Sequence, residues 1–115
     1  VNLILSQEIF HPGDQFLLEA VISNPGPETY QDQPLVVLLD VYSSYFWYPG
    51  WFSSFSFDPI NLNIELKRLT ILDFEWPDCA GEADGIVFYG ALLNHESTAI
   101  LGGWDWVAFG WMPVN

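Results

Sequence analysis

The chain is short of positive charge, of thiols and of imidazoles, and each shortage narrows the range of functions. Lys67 and Arg68 are its only Lys or Arg residues against fifteen Asp and Glu, giving a formal net charge of −13. A phosphate backbone or an anionic lipid surface would repel such a protein, which argues against nucleic-acid binding and peripheral membrane attachment. One cysteine, Cys79, leaves no intrachain disulfide, and it reads as a small buried or loop thiol rather than a nucleophile. Two histidines, His11 and His95, leave little room for a hydrolytic triad. Ser97 is too near His95 in sequence for the usual geometry, and no nucleophile-elbow motif occurs. No apolar run approaches the roughly 18 residues of a membrane-spanning helix, so membrane insertion is not expected. There is no stretch with a 3.6-residue period, no Asn-x-Ser/Thr sequon and no internal repeat.

What remains is apolar and built for strands. Half of the 115 residues are hydrophobic, nine are Gly and eight are Pro, a composition of short strands joined by tight turns in one domain. Residues 1–10 (VNLILSQEIF) read as a first strand. His11-Pro12-Gly13-Asp14 follows as a turn, with Pro fixing φ at its second position and Gly accepting a positive φ at its third. Residues 15–24 alternate, with Phe16, Leu18, Ala20 and Ile22 on one face, until Asn24-Pro25-Gly26-Pro27 ends the strand. Residues 35–42 open with five aliphatic residues, the pattern of a strand buried on both faces. Ile60, Leu62, Ile64 and Leu66 then alternate with polar residues, and Leu72, Phe74 and Trp76 do so against Asp73 and Glu75. Residues 85–94 (GIVFYGALLN) are apolar nearly throughout, and a final strand spans about 98–110 with Gly102-Gly103 allowing a bulge. Seven or eight strands at this spacing predict an all-β, two-sheet antiparallel sandwich with Greek-key connections.

The turn P-G-D at residues 12–14, N-P-G at 24–26, F-W-Y-P-G-W at 46–51, F-E-W-P at 74–77, A-D-G at 83–85 and F-Y-G-A-L at 88–92 together resemble the immunoglobulin-like sandwich modules of bacterial secreted and surface proteins. That resemblance implies a non-enzymatic accessory, adhesive or structural module outside a bacterial cell. The chain opens on Val1 rather than Met, which implies either a processed leader or a piece of a longer polypeptide.

The ring content of the chain is the feature that a core alone does not account for. Residues 45–57 hold Tyr45, Phe46, Trp47, Tyr48, Trp51, Phe52, Phe55 and Phe57, with a turn expected at Tyr48-Pro49-Gly50-Trp51. Trp76 suits the core. In the last strand Trp104 and Trp106 share one face while Val107, Phe109 and Trp111 share the other, so both sides carry large apolar groups and only Asp105 offers charge protection. Two explanations compete. The rings form a platform for a polysaccharide, with Asp40, Asn94 and Asp105 accepting its hydroxyl protons, or they are buried against another protein, above all another copy of the chain. Residues 1–10 could assist by strand addition to a neighbour, giving a homo-oligomer or a filament- or pilus-like assembly. The aliphatic neighbours Ile100, Leu101 and Val107 favour the second. The expected interface residues are Leu3, Leu5, Trp47, Trp51, Trp104, Trp106, Phe109 and Trp111, and Lys67-Arg68 could meet acidic groups of an adjacent subunit.

Chemistry beyond contact is weakly signalled. The acidic loop 78–85 offers Asp78, Glu82 and Asp84 to a Ca²⁺ ion, but its spacing matches no established calcium motif, and a solvated turn is the simpler reading. Asp73 and Glu75 project from one face of a regular strand, which reads as a polar solvated face rather than a glycosidase pair. No cofactor and no enzymatic activity are expected.

Overall fold

The computed structural model describes residues 1–23, 30–62, 66–78, 81–94, 100 and 103–113. The expected turn at Asn24-Pro25-Gly26, together with Cys79, His95, Glu96, Ser97, Leu101 and Gly102, lies outside the described residues. Among the described residues nine strands are formed and no helix: β1 (Asn2–Leu5), β2 (Ile9–Phe10), β3 (Gln15–Ile22), β4 (Tyr30–Val41), β5 (Ser44–Trp47), β6 (Asp58–Leu62), β7 (Lys67–Glu75), β8 (Ala83–Leu92) and β9 (Asp105–Trp111). They make two mostly antiparallel sheets. One has the order β1-β3-β7, and the other β2-β9-β8-β4-β5 with β6 pairing the first half of β4. The protein is therefore all-β and sandwich-like, with more strands than the seven or eight expected.

Two of the extra strands come from segments whose sequence looked continuous or irregular. Residues 1–10 are not one strand. β1 pairs antiparallel with β3, the chain crosses between the sheets, and β2 pairs parallel with β9. Ser6 manages the crossing, because its hydroxyl accepts from the Leu17 N–H at 3.1 Å and donates to the Gln15 carbonyl at 3.0 Å. The segment thus pairs within its own chain. The other addition is β5, which folds back on β4 through Tyr42-Ser43, with φ of 49° and 72°. Two consecutive positive φ values describe the hairpin turn whose twist suits antiparallel strands, and Asp40 Oδ1 steadies it by accepting from the Ser43 N–H at 2.9 Å.

The core lies between the sheets and follows the period-two pattern. Phe16, Leu18, Ala20 and Ile22 of β3 face Leu35 and Val37 of β4, Ile86, Phe88 and Leu92 of β8, and Phe109 of β9. Phe16 sits at its aromatic centre, with ring centroids 4.7 Å from Phe10, 4.9 Å from Phe74 and 5.2 Å from Phe109. Trp76 packs against the same cluster, 5.7 Å from Phe16 and 5.4 Å from Trp111. Of the run Ile60, Leu62, Ile64 and Leu66, β6 holds the first two and Ile64 lies outside the described residues. β6 ends at Leu62, β7 begins at Lys67, and Leu66 is 67% exposed.

Candidate binding face

Alternation along each strand decides what the two outer faces carry. On β1-β3-β7 the outward positions include Gln15, Glu19, Arg68, Asp73 and Glu75. Arg68 Nε pairs with Glu19 Oε2 at 2.9 Å, and the Gln15 amide donates to the Asp73 carboxylate. This is an ordinary solvated face. Asp73 and Glu75 are exposed and lie within it.

The outer face of the six-stranded sheet is different. Leu35, Val37, Ile86, Phe88 and Phe109 point inward, so their sequence neighbours Val36, Leu38, Val87, Tyr89, Ala91, Trp106 and Ala108 point outward. Register then aligns them across four strands. Trp106 lies opposite Tyr89, Tyr89 opposite Leu38, and Leu38 opposite Trp47, giving one apolar row over β9, β8, β4 and β5. With strands about 4.8 Å apart, the row spans roughly 14 Å. Trp104 lies beside it with its ring 6.2 Å from that of Tyr89. A shallow hollow of 180 Å³ opens here, lined by Val36, Leu38, Trp47, Tyr89, Gly90, Ala91, Ile100 and Trp104. Val36 is only 8% exposed although it faces outward, whereas Trp104 and Trp106 are 57% and 54% exposed. Phe55 extends the surface by an edge contact to Trp47 at 5.0 Å.

The neighbouring row contains Ala108, Val87, Asp40 and Tyr45. Asp40 is the one charged side chain in these two rows, and its carboxylate is held by Ser43. Asp105 belongs to the opposite face, where Oδ2 accepts from the Leu3 N–H at 2.8 Å. Two of the carboxylates that could have served a sugar are thus engaged with main chain, one of them away from the rings.

The eight expected interface residues therefore separate. Trp47, Trp104 and Trp106 share the outer face. Leu3 and Phe109 are core residues, 6% and 7% exposed, and offer no surface to a partner. Leu5, Trp51 and Trp111 pack against the core from its margins, Trp51 with its ring 5.8 Å from Phe88. Tyr89, Val36 and Leu38 belong to the face and were not singled out by sequence. The signal was the unbroken apolar run of β8, which a strand faced by large groups on both sides requires.

Around Trp51, burial pushes the Tyr48 phenol above the ordinary tyrosine range, and the Asp58 carboxylate 3.4 Å away adds to the shift. At the far end of the sheets Ile9, Tyr42, Glu82, Ala83, Asp84, Trp111 and Met112 line a 410 Å³ hollow. Asp78, Glu82 and Asp84 are all exposed, and no group of three or more His, Cys, Asp or Glu side chains is gathered among the described residues. Lys67 donates to the Asn61 carbonyl at 3.1 Å. His11 Nδ1 lies 3.5 Å from Asp14 Oδ2 within its turn. No protein-family model, no curated protein and no solved structure matches the chain.

Proposed function

We propose that the chain is a non-enzymatic structural module that works by protein–protein contact, packing the outer face of its six-stranded sheet against the same face of another copy. The carrying observation is the in-register row Trp106, Tyr89, Leu38 and Trp47, apolar where a sheet face is expected to be solvated. From strand spacing and rise, the patch covers on the order of 400 Å², the size at which exposed apolar patches are commonly functional. It is about half of what one partner contributes to a standard interface, so association is weak and concentration-dependent. The net charge of −13 is no obstacle at the centre of this contact, because Asp40 alone brings charge into the two rows. Repulsion acts from elsewhere on the two copies, and salt screens it.

The reading includes an immunoglobulin-like sandwich on a bacterial surface. The strand order supports the first part. The first strand is shared between the sheets, β1 on β3 and β2 parallel on β9, and the other sheet runs β9-β8-β4-β5, the order of a variable-type immunoglobulin sheet with its added strand. The acidic, aromatic-rich composition supports an extracellular setting. In a longer assembly this face supplies one of the contacts a filament needs.

A carbohydrate-binding adhesive module is the second reading, favoured by the two half-exposed Trp rings on a flat sheet face. Sedimentation equilibrium separates them. Self-association that strengthens with salt and disappears in a Trp104→Ser/Trp106→Ser variant supports the contact. A salt-indifferent monomer whose tryptophan fluorescence changes as polysaccharide is titrated supports the sugar.

A further inference from the structure

One side of the sandwich is closed by the chain itself. Residues 3–8 lie along β9 and are clasped to it at both ends, by the Leu3 N–H on the Asp105 carboxylate and by the Gly110 N–H on the Glu8 carbonyl. The other side ends on β7, whose one ladder neighbour among the described residues is β3. Register fixes which main-chain groups of β7 point away from β3. The Leu17 carbonyl accepts from the Ser6 N–H at 3.0 Å, so odd-numbered residues of β3 turn their main chain to β1 and even-numbered ones turn theirs to β7. Phe16, Leu18, Ala20 and Ile22 therefore face Phe74, Leu72, Leu69 and Lys67 as the bonded pairs, which leaves Arg68, Thr70, Asp73 and Glu75 with N–H and C=O directed outward. None of these four has a main-chain partner on that side among the described residues, and all four are exposed.

We infer that the outer edge of β7 pairs antiparallel with the same edge of a second copy, joining two three-stranded sheets into one continuous sheet. Two observations select a second copy over any other strand. The first is charge. Lys67 and Arg68, the only Lys and Arg of the chain, stand at one end of β7, and Asp73 and Glu75 stand at the other. Antiparallel pairing about a two-fold axis sets Arg68 opposite Glu75 of the second copy and Thr70 opposite Asp73, in both directions. All four outward residues then meet as bonded pairs, and each guanidinium meets a carboxylate. Arg68 already contacts Glu19 through Nε at 2.9 Å, and its remaining N–H donors serve the second carboxylate. The other observation is the bulge. β7 carries an extra residue, Ile71, against β3, so Thr70 and Asp73 are three positions apart where outward residues of a regular strand are two apart. An ordinary strand loses register at that point, whereas a second copy brings the same extra residue to the axis and keeps it. The contact goes beyond the face-to-face packing, lies on the other sheet and shares no residue with it. A single strand pair is marginal by itself, so this is the weaker contact, populated at millimolar protein.

The test is a concentration series of amide exchange by NMR, at moderate salt and up to millimolar protein, in the Trp104→Ser/Trp106→Ser variant that lacks the face contact. Expected is a saturable slowing at the Arg68, Thr70, Asp73 and Glu75 amides, while those of Leu69 and Phe74, already turned to β3, change little. Adding Arg68→Glu weakens this association roughly tenfold, and adding Glu75→Arg instead does the same, because each sets like charges opposite one another twice. An equimolar mixture of those two proteins restores both charge pairs and associates as tightly as the starting variant, a rescue that a merely structural role for either residue does not produce. Exchange at the four outward amides that is indifferent to concentration, or a mixture no tighter than its components, overturns the inference.

Discussion

The main-chain N–H of Leu3 donates to Oδ2 of Asp105 at 2.8 Å, across 102 residues of sequence, and ties the edge of one sheet to the edge of the other. Beside it the N-terminal amino group reaches the Gly103 carbonyl at 3.4 Å. Leu3 itself fills the space left by Gly90, where a Cβ would stand 2.9 Å from a Leu3 methyl. Asp105→Ala leaves a part-buried N–H without its charged acceptor and is expected to cost about 1–3 kcal/mol. Urea unfolding measures the loss, and amide exchange places it at Leu3. A variant as stable as the parent, with Leu3 still protected, contradicts this role for the clasp.

Gly110 is expected to be intolerant of any side chain. It lies where β8 bulges between Ala83 and Ile86, and a Cβ there would collide with the Ala83 carbonyl and the Asp84 Cα, which are backbone and cannot rotate away. The Tyr42 hydroxyl pins the same bulge by donating to the Asp84 carbonyl at 2.6 Å. Gly110→Ala should destabilise by at least about 2 kcal/mol, whereas Gly103→Ala, with open space around it, should change the unfolding midpoint little.

Acid should loosen the turn at residues 11–14 before it unfolds the sheets. The His11 N–H donates to Asp14 Oδ2 at 2.8 Å and holds that carboxyl below the usual aspartate range, with Gln7 and the His11 side chain adding to the shift. A carboxyl depressed in the folded state stabilises at pH above its unfolded value, about 3.9, and that contribution disappears as pH falls through the folded value. Carbon-detected titration should give Asp14 a midpoint below that of an aspartate in a short peptide, with the His11 amide losing protection over the same range. A midpoint at or above the peptide value contradicts the assignment.

Much of this arrangement was legible in the residues. The alternation of Phe16, Leu18, Ala20 and Ile22 is the inward face of β3, and the expected division of Trp104 and Trp106 from Val107, Phe109 and Trp111 is the division between the two faces of β9. The β5 hairpin was not legible, because Tyr42-Ser43 adopts positive φ without the Asn-Gly or Asp-Gly that normally marks such a turn. The break in residues 1–10 was hidden as well. Neither Pro nor Gly interrupts them, and the crossing depends on the Ser6 hydroxyl bonding to residues 9 and 11 positions further along. Most of all, the row through Tyr89 and Leu38 depends on the registers of three strand pairs, which no local pattern encodes.

The most direct test of the central claim is a dilution series followed through the tryptophan indole N–H resonances, assigned by substitution, at moderate salt. The account predicts that the indoles of Trp47, Trp104 and Trp106 shift together along one binding curve as copies separate, while that of Trp76, packed in the aromatic core, stays still. Outer-face resonances that are invariant with concentration, in a protein of constant 13.1 kDa mass, would contradict it.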